Sequence, residues 1–443
     1  MMEPHLLAYA ERQAPRYTSY PSAPHFGPEV NATVYRDWLG RLPDEAALSI
    51  YMHVPYCKQI CWYCGCNTNA AHAGDTGDFV DTALRGIELV AGAANAHRVT
   101  EIHWGGGTPN ILSTEEFTRL FHHLEFWFDL DTRLAHSIEI DPRHLTASLA
   151  ETYARAGVNR ASLGVQDLNP RVQAAIGRIQ PFEQVQQATA ELHRAGITQL
   201  SFDLMYGLPG QSIDDLLHSV QLSASLQPDR IALFGYAHVP WFKRRQRVIN
   251  ADTLPGSEAR FAQAQAAHDA LVALGYVAIG LDHFAKPNDP LAHAAREGAL
   301  RRNFQGYVTN IPDAILGFGP SAISTLPQGY AQNATGIGAW RRAIDADDLP
   351  IVRGHAHSDD DHRRAALIER IMCDFEADLT AFGGREAFST ELHVLAPLIA
   401  DGIVTIHGNQ LTVPEPMHPF CRLVAHAFDT YAAADAARYS RAI

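Results

Sequence analysis

The sequence predicts an α/β fold: a partial (β/α)6 barrel of the TIM type, with an N-terminal segment before it and a mainly helical C-terminal accessory domain after it. Three observations lead there. Short apolar runs alternate with segments of helical periodicity from about residue 47 to about residue 240, the pattern of a parallel sheet with helices outside it. Polar and glycine-rich residues (His53, Gly105 to Thr108, Glu139, Gln166, Asp203) sit at or just past the C-terminal ends of those runs, where active sites on such sheets lie. Beyond about residue 360 the alternation gives way to helical segments around one small hairpin.

Taken in order, residues 1–45 read as irregular, because Pro15, Pro21, Pro24 and Pro28 punctuate them. The expected strands are 47–55, 101–107, 136–142, 160–166, 199–207 and 230–238. The clearest expected helices are 76–94, 113–128, 181–196 and 212–226, several opening on Ser or Thr followed by an acid, as N-caps do. Residues 257–275 are a further helix, and 281–307 read as a polar, aromatic loop. In the last part, 361–383 and 391–402 are expected to be helical, 403–414 a hairpin turning at Gly408-Asn409, and 418–440 a closing helix. This organisation gives an N-terminal segment over 1–45, expected to cover whatever the strand ends bind, a barrel with its extension over 46–355 expected to carry the chemistry, and a C-terminal domain over 356–443. A polar stretch near 354–362 is the one linker, and no internal repeat is visible. With 443 residues, 47% of them hydrophobic, the chain is too long for a single ordinary core.

The formal net charge of -14 speaks against nucleic acid and anionic membrane as partners, since both repel such a surface. No apolar run reaches spanning length, and the first residues carry early charges without the apolar core of a secretion signal. A cytoplasmic location is expected. Four of the six cysteines fall between positions 57 and 66, which suits a metal in a reducing compartment and not a disulfide framework.

The cluster segment, YMHVPYCKQICWYCGCNTN, places Cys57, Cys61 and Cys64 in CxxxCxxC spacing directly after the first expected strand. Three closely spaced thiolates can hold three irons of a [4Fe–4S] cluster and leave the fourth iron open to an outside ligand. Zinc sites usually use paired CxxC units or histidine at set spacing, whereas here there is one compact group directly after a strand; a structural zinc knot or four buried thiols is the alternative. Cys66 is compatible with a fourth ligand, a redox thiol or a small buried residue; the spacing is complete without it. Cys373 and Cys421 lie in helical segments and read as core residues. WGGGTPN (104–110) follows the second strand, and its glycines would let the backbone approach a ligand closely. Glu139, Gln166 and Asp203 at strand ends, with Arg178 in the helix after Gln166, suit hydroxyl and carboxylate groups of a ligand; any one of them alone could equally be a cap or a satisfied edge residue.

A cluster with an open iron at a barrel mouth resembles the radical S-adenosylmethionine (SAM) superfamily. The resemblance implies that the free iron is chelated by SAM, and that SAM cleavage yields a 5′-deoxyadenosyl radical which the protein must position and shield. A closer resemblance lies in PRYTSYP (15–21), HVPYCKQICWYCGCN (53–67), GGGTP (105–109), IEIDPR (138–143), LGVQDLNPRVQ (163–173), DLMYGLPGQ (203–211), YAHVPW (236–241), the stretch 281–307, SAIS (321–324) and FDTY (428–431). Together these are similar to the oxygen-independent coproporphyrinogen III oxidases from about residue 15 to the C-terminus. That resemblance implies oxidative decarboxylation of two propionates of coproporphyrinogen III to vinyl groups, giving protoporphyrinogen IX in haem biosynthesis. It implies two SAM molecules side by side. Tyr51, Gly106, Glu139 and Ile323 would contact the first; Gly107, Thr108, Gln166, Arg178, Asp203 and Ala237 the second. Tyr63, where members often carry Phe, would flank them. An electron donor and an electron acceptor are implied as partners, and a monomer is expected.

The chain departs from the family pattern at Pro320 before SAIS and in the basic run WFKRRQRVI (241–249). Arg244, Arg245 and Arg247 are better read as a solvated charge run than as propionate ligands. Arg16 and Tyr20 are better substrate candidates, with Arg301 and Arg302 beside them. The alternatives are a related two-SAM enzyme, such as a methylase or an anaerobic haem-degrading enzyme, and a non-enzymatic haem chaperone. PRYTSYP and RRNFQGY argue against the first, and Cys66 with the N-terminal segment against the second.

Overall fold

The computed structural model describes residues 4–432 and 439–442. Its centre is a run of parallel strands: β1 Leu48–Val54, β2 Arg98–Gly106, β3 Asp129–Ile140, β4 Arg160–Gln166, β5 Gln199–Tyr206, β6 Arg230–Gly235 and β7 Ala314–Phe318. Their spatial order is β7-β1-β2-β3-β4-β5-β6, within an open sheet of twelve strands. All six strands expected from the sequence form, and β7 joins them in parallel on the far side of β1. At that edge Ile323–Leu326, Gly329–Asn333 and Ile351–Ala356 add antiparallel strands; beyond β6, His283–Ala285 and Val277–Ile279 do the same.

β1 is buried along nearly all of its length, as a parallel strand covered on both faces must be. Register carries the core across the sheet: Met52 sits opposite Trp104, Trp104 opposite Ile138, and Ile138 opposite Ala161. Trp104 packs on Phe117 with ring centroids 4.6 Å apart, and Phe117 meets Tyr153 edge-on at 4.7 Å. Phe117 belongs to the helix Thr114–Trp127. That helix starts at Ser113 because the Ser113 side chain accepts from the Glu116 N–H while Glu116 reaches back to the Ser113 N–H. Ser212 and Asp215 do the same for Ile213–Ser225, as the Ser-acid signals predicted.

Several local expectations are corrected. Residues 1–45 are not wholly irregular: Pro4–Ala10 and Ala32–Gly40 are helices. Asn31 caps the second through the Thr33 and Val34 N–H groups, and burial of Tyr35, Trp38 and Leu39 secures it; the prolines hid both. The 281–307 stretch is not a loop. It holds the helix Pro290–Arg296, capped by Asp289, and the hairpin Arg301–Asn303 with Gly306–Val308. The 354–362 linker is occupied by the strand Ile351–Ala356 and by Ser358, which caps the helix Asp359–Asp374. That helix stops early because Phe375 adopts a left-handed φ of 60°, and Glu376–Asp378 then pairs with Gln410–Thr412. The hairpin around Gly408-Asn409 forms as expected, with His407 opposite Gln410. The closing helix is only Cys421–His426, after a 3-10 turn over Glu415–Phe420 that contains Pro419. Part of the predicted 418–440 helix, 433–438, lies outside the described residues.

Two main cores result. Val30, Tyr35, Trp38 and Leu39 join the barrel core. Leu6, Ala10, Tyr17 and Tyr20 instead pack with Leu367, Ile371, Phe388, Val424 and Phe428, so the start of the chain closes onto its end. Among the described residues, no helix is long and apolar enough to cross a membrane.

Candidate functional site

The chain leaves β1 at Val54 and turns at once into the cysteine loop. Cys57 and Cys61 are buried, Cys64 is half-buried and Cys66 is exposed, and all four are free thiols. Each sulfur of the CxxxCxxC set has donors aimed at it. Thr108 Oγ1 donates to Cys57 Sγ at 3.1 Å, and Thr68 Oγ1, which donates to the Pro55 carbonyl at 3.3 Å, lies 3.2 Å from the same sulfur. Arg178 Nη1 and Arg143 Nη2 reach Cys61 Sγ at 3.4 and 3.8 Å. The Cys66 N–H donates to Cys64 Sγ at 3.4 Å. A hydrogen bond from the Cys66 thiol, helped by its backbone N–H and by Arg245 and Lys243, brings the Cys64 thiol down to about 6. Burial pushes the Cys57 thiol up, against the two threonine hydroxyls. Three soft sulfur donors from one loop, each met by hydrogen-bond donors, match what an iron–sulfur cluster requires of its ligands and their surroundings. The Arg178 Nε is buried with no partner in the described protein, a polar atom left for a bound group. Cys373 and Cys421 lie in the hydrophobic cores, as read from the sequence.

The glycine loop ends β2 beside this cluster. Gly106 takes φ of 112°, and its N–H donates to Glu139 Oε2 at 3.2 Å. A Cβ at Gly107 would fall 2.4 Å from Thr68 Oγ1 and 2.6 Å from the Tyr56 carbonyl. A Cβ at Gly105 would fall 2.9 Å from Glu139 Oε1 and 3.0 Å from the Tyr51 ring. The loop therefore fits against the cysteine segment and the β1 and β3 ends only as glycine. Glu139 is held from its other side by His103 Nε2 at 3.1 Å. His53 Nε2 faces the Asn67 carbonyl at 2.9 Å and must donate there, so His53 Nδ1 accepts the Tyr51 hydroxyl at 3.0 Å.

Gln166 closes β4 with φ of 69°, a strained conformation for a residue with a side chain and one that gathers at functional sites. A Cβ on Gly164 would lie 2.9 Å from Gln166 Nε2 and 3.3 Å from Arg178 Nη2, so these two side chains converge. Arg178 also donates to the Gly164 carbonyl at 2.6 Å and pairs with Asp141 at 3.4 Å. Asp203 lies one strand over and accepts from Ser162 at 3.3 Å. Burial, reinforced by the Glu139 charge, pushes its carboxyl up to about 7. Gln246 Nε2 donates to the Tyr63 carbonyl at 2.8 Å and the Ala237 carbonyl at 3.1 Å, tying the end of β6 to the cysteine loop. Ile323 follows β7 across from Gly317, which stands opposite Tyr51 in the sheet.

The sequence-predicted cluster and cofactor residues are thus brought to one end of the sheet. Gln246, Thr68, His103 and Arg143 were missed. His103 was visible only as one polar position in β2, and Gln246 was hidden inside a run read as charge.

Behind Ala237 lies a cavity of about 1070 Å³, whose lining includes Arg16, Tyr206, Arg260, Asp282, Arg302 and Arg422. Arg302 lies 4.4 Å over the Tyr307 ring, and its Nε and Nη1 are buried with no partner in the described protein. Although burial opposes it, a hydrogen bond from His283 and the charges of Arg302 and Arg16 hold Asp282 at about 2. Arg16 also donates to the Gly235 carbonyl at 3.0 Å. Arg301 instead pairs with Glu369 at 3.1 Å, and Tyr20 bonds Thr430 at 3.0 Å; neither lines this cavity.

Comparison with known proteins fits this geometry. The Radical SAM superfamily signature matches residues 51–223. The chain is 47% identical to the oxygen-independent coproporphyrinogen III oxidase of Bradyrhizobium diazoefficiens, over 99% of both chains. It is 40% identical to the Paracoccus denitrificans protein of the same name, over 96% of each. The solved coproporphyrinogen III oxidase of Escherichia coli, described as a radical SAM enzyme, superposes with a TM-score of 0.90 at 32% identity, covering 97% of this chain and 99% of that one. The chain belongs to the oxygen-independent coproporphyrinogen III oxidase family within the radical SAM superfamily.

Proposed function

We propose that this chain converts coproporphyrinogen III to protoporphyrinogen IX without oxygen, by oxidative decarboxylation of two propionate side chains. One observation beyond family membership carries this reading. The arginine-lined cavity and the cofactor residues share Ala237, so a polycarboxylate in the cavity would border the cofactor site. When bound, the [4Fe–4S] cluster and SAM supply a 5′-deoxyadenosyl radical able to take hydrogen from a propionate β-carbon.

The protein's own residues bind, orient and exclude water. Cys57, Cys61 and Cys64 would hold three irons, with Thr108 and Arg178 tuning the sulfurs through hydrogen bonds. Tyr51, Gly106, Glu139 and Ile323 would line the first SAM site; His103 fixes the Glu139 carboxylate. Gly107, Thr108, Gln166, Arg178, Asp203 and Ala237 would line the second, flanked by Tyr63. Arg16 and Arg302 would pair with substrate propionates, since guanidinium forks match carboxylates. A low-potential electron donor and a separate electron acceptor complete the cycle. Free thiols of this kind suit the reducing cytoplasm.

The test is direct. Anaerobically reconstituted protein should form protoporphyrinogen IX from coproporphyrinogen III with SAM, a reductant and an electron acceptor. SAM cleavage without a vinyl product under those conditions would sink the oxidase reading.

A further inference from the structure

The basic run that departs from the family pattern folds against the cluster. The segment 241–249 carries Lys243, Arg244, Arg245 and Arg247 and no acid, on a chain whose net charge is -14. Lys243 Nζ donates to the Cys66 carbonyl at 3.3 Å and Arg245 Nη2 to the Thr68 carbonyl at 3.0 Å. Gln246 in the same turn holds the Tyr63 carbonyl. Three hydrogen bonds thus anchor the segment on the cysteine loop. Within it Ile249 is buried, while Arg244 and Arg247 are exposed, Phe242 is 74% and Val248 59% exposed. Trp62, between two of the cysteines, and Ile179 are exposed as well. Apolar side chains set among cations form the usual make-up of a transient protein interface.

Resting on the cluster assignment made above, we propose that this basic, apolar patch is the docking surface for an acidic one-electron carrier protein of low potential. One electron leaves the carrier and one enters the cluster; no bond is made or broken and no proton is needed. Opposite charge steers the encounter against the repulsion of an otherwise anionic enzyme, and the exposed Phe242 and Val248 give the short-lived complex its contact. The anchoring bonds place that contact against the cysteine loop.

The probe is an acidic plant-type [2Fe–2S] ferredoxin and the readout is cluster bleaching in stopped flow, with no porphyrinogen present. A failure of the oxidase reading is therefore read in a separate assay. At low salt the double variant Arg244→Glu/Arg247→Glu should be reduced by ferredoxin at least tenfold more slowly than wild type. Added salt should slow the wild type but not the variant. Photoreduced deazaflavin, which needs no docking, should reduce both within twofold. Phe242→Ser/Val248→Ser should weaken calorimetric binding of oxidised ferredoxin at least fivefold. Ferredoxin rates and affinities within twofold of wild type in both variants overturn the proposal. So does equal slowing with both reductants in the milder pair Arg244→Gln/Arg247→Gln.

Discussion

Asp203 shows how burial at a single residue would reach the proposed cofactor site. Its carboxyl, pushed up to about 7 by burial and then by the Glu139 charge, titrates near neutrality. A carboxylate accepts from hydroxyls more strongly than a carboxylic acid does. SAM affinity should therefore rise on the order of tenfold from pH 6 to pH 8, and Asp203→Asn should flatten that rise, as measured by equilibrium dialysis. A variant retaining the wild-type slope would remove Asp203 as the titrating group. Gly107 acts by absence of a side chain. The added Cβ of Gly107→Ala would meet Thr68 Oγ1 and the Tyr56 carbonyl, both in the cysteine loop. Backbone is the obstacle, so the loop must shift. We expect 5′-deoxyadenosine formation to fall at least tenfold while the far-ultraviolet circular dichroism stays unchanged.

At the scale of elements, a polar contact between β2 and β3 lies among apolar side chains. Trp104 Nε1 donates to His136 Nε2 at 2.8 Å, and His136 Nδ1 donates to the Ala156 carbonyl at 3.0 Å. Both ring nitrogens are thereby committed to the neutral form, and burial lowers the His136 pKa to about 4 from its ordinary 6.5. A depressed folded value means that stability is present above about pH 6.5 and lost as pH falls towards 4. The loss amounts to about 2 kcal/mol between pH 7 and pH 5. Urea midpoints should show it in the wild type, and His136→Gln should lack that component. Trp104→Ala removes the centre of the aromatic stack on Phe117 and should cost about 3–5 kcal/mol in the same measurement.

For the molecule as a whole, Arg422 fastens the two ends of the chain. It is buried and donates to the Pro15 carbonyl at 2.9 Å, to those of Arg441 and Ala442 at 3.1 Å, and to that of Ala14. Arg422→Leu leaves those buried carbonyls without donors, a loss on the order of 3 kcal/mol or more. Limited proteolysis should then cut first near residues 10–22, before the barrel. Unaltered cleavage kinetics would show that apolar packing of Tyr17 and Tyr20 alone holds the segment.

The sequence by itself determined what is local or periodic. The six strands followed from apolar runs, the capped helices from Ser-acid pairs, and the Gly408-Asn409 hairpin from turn chemistry. The cysteine spacing identified an open-iron cluster because its ligands lie within one loop, and the glycine run beside it was legible for the same reason. Only the tertiary structure decided which distant residues meet. Of the arginines proposed for substrate, Arg16 and Arg302 reach the cavity while Arg301 is held by Glu369, although Arg301 and Arg302 are neighbours in a strand. Alternation along a strand sends adjacent side chains to opposite faces, and no sequence pattern says which face will be covered. The same holds for Gln246: its part in joining Ala237 to Tyr63 exists only once β6 and the cysteine loop are side by side.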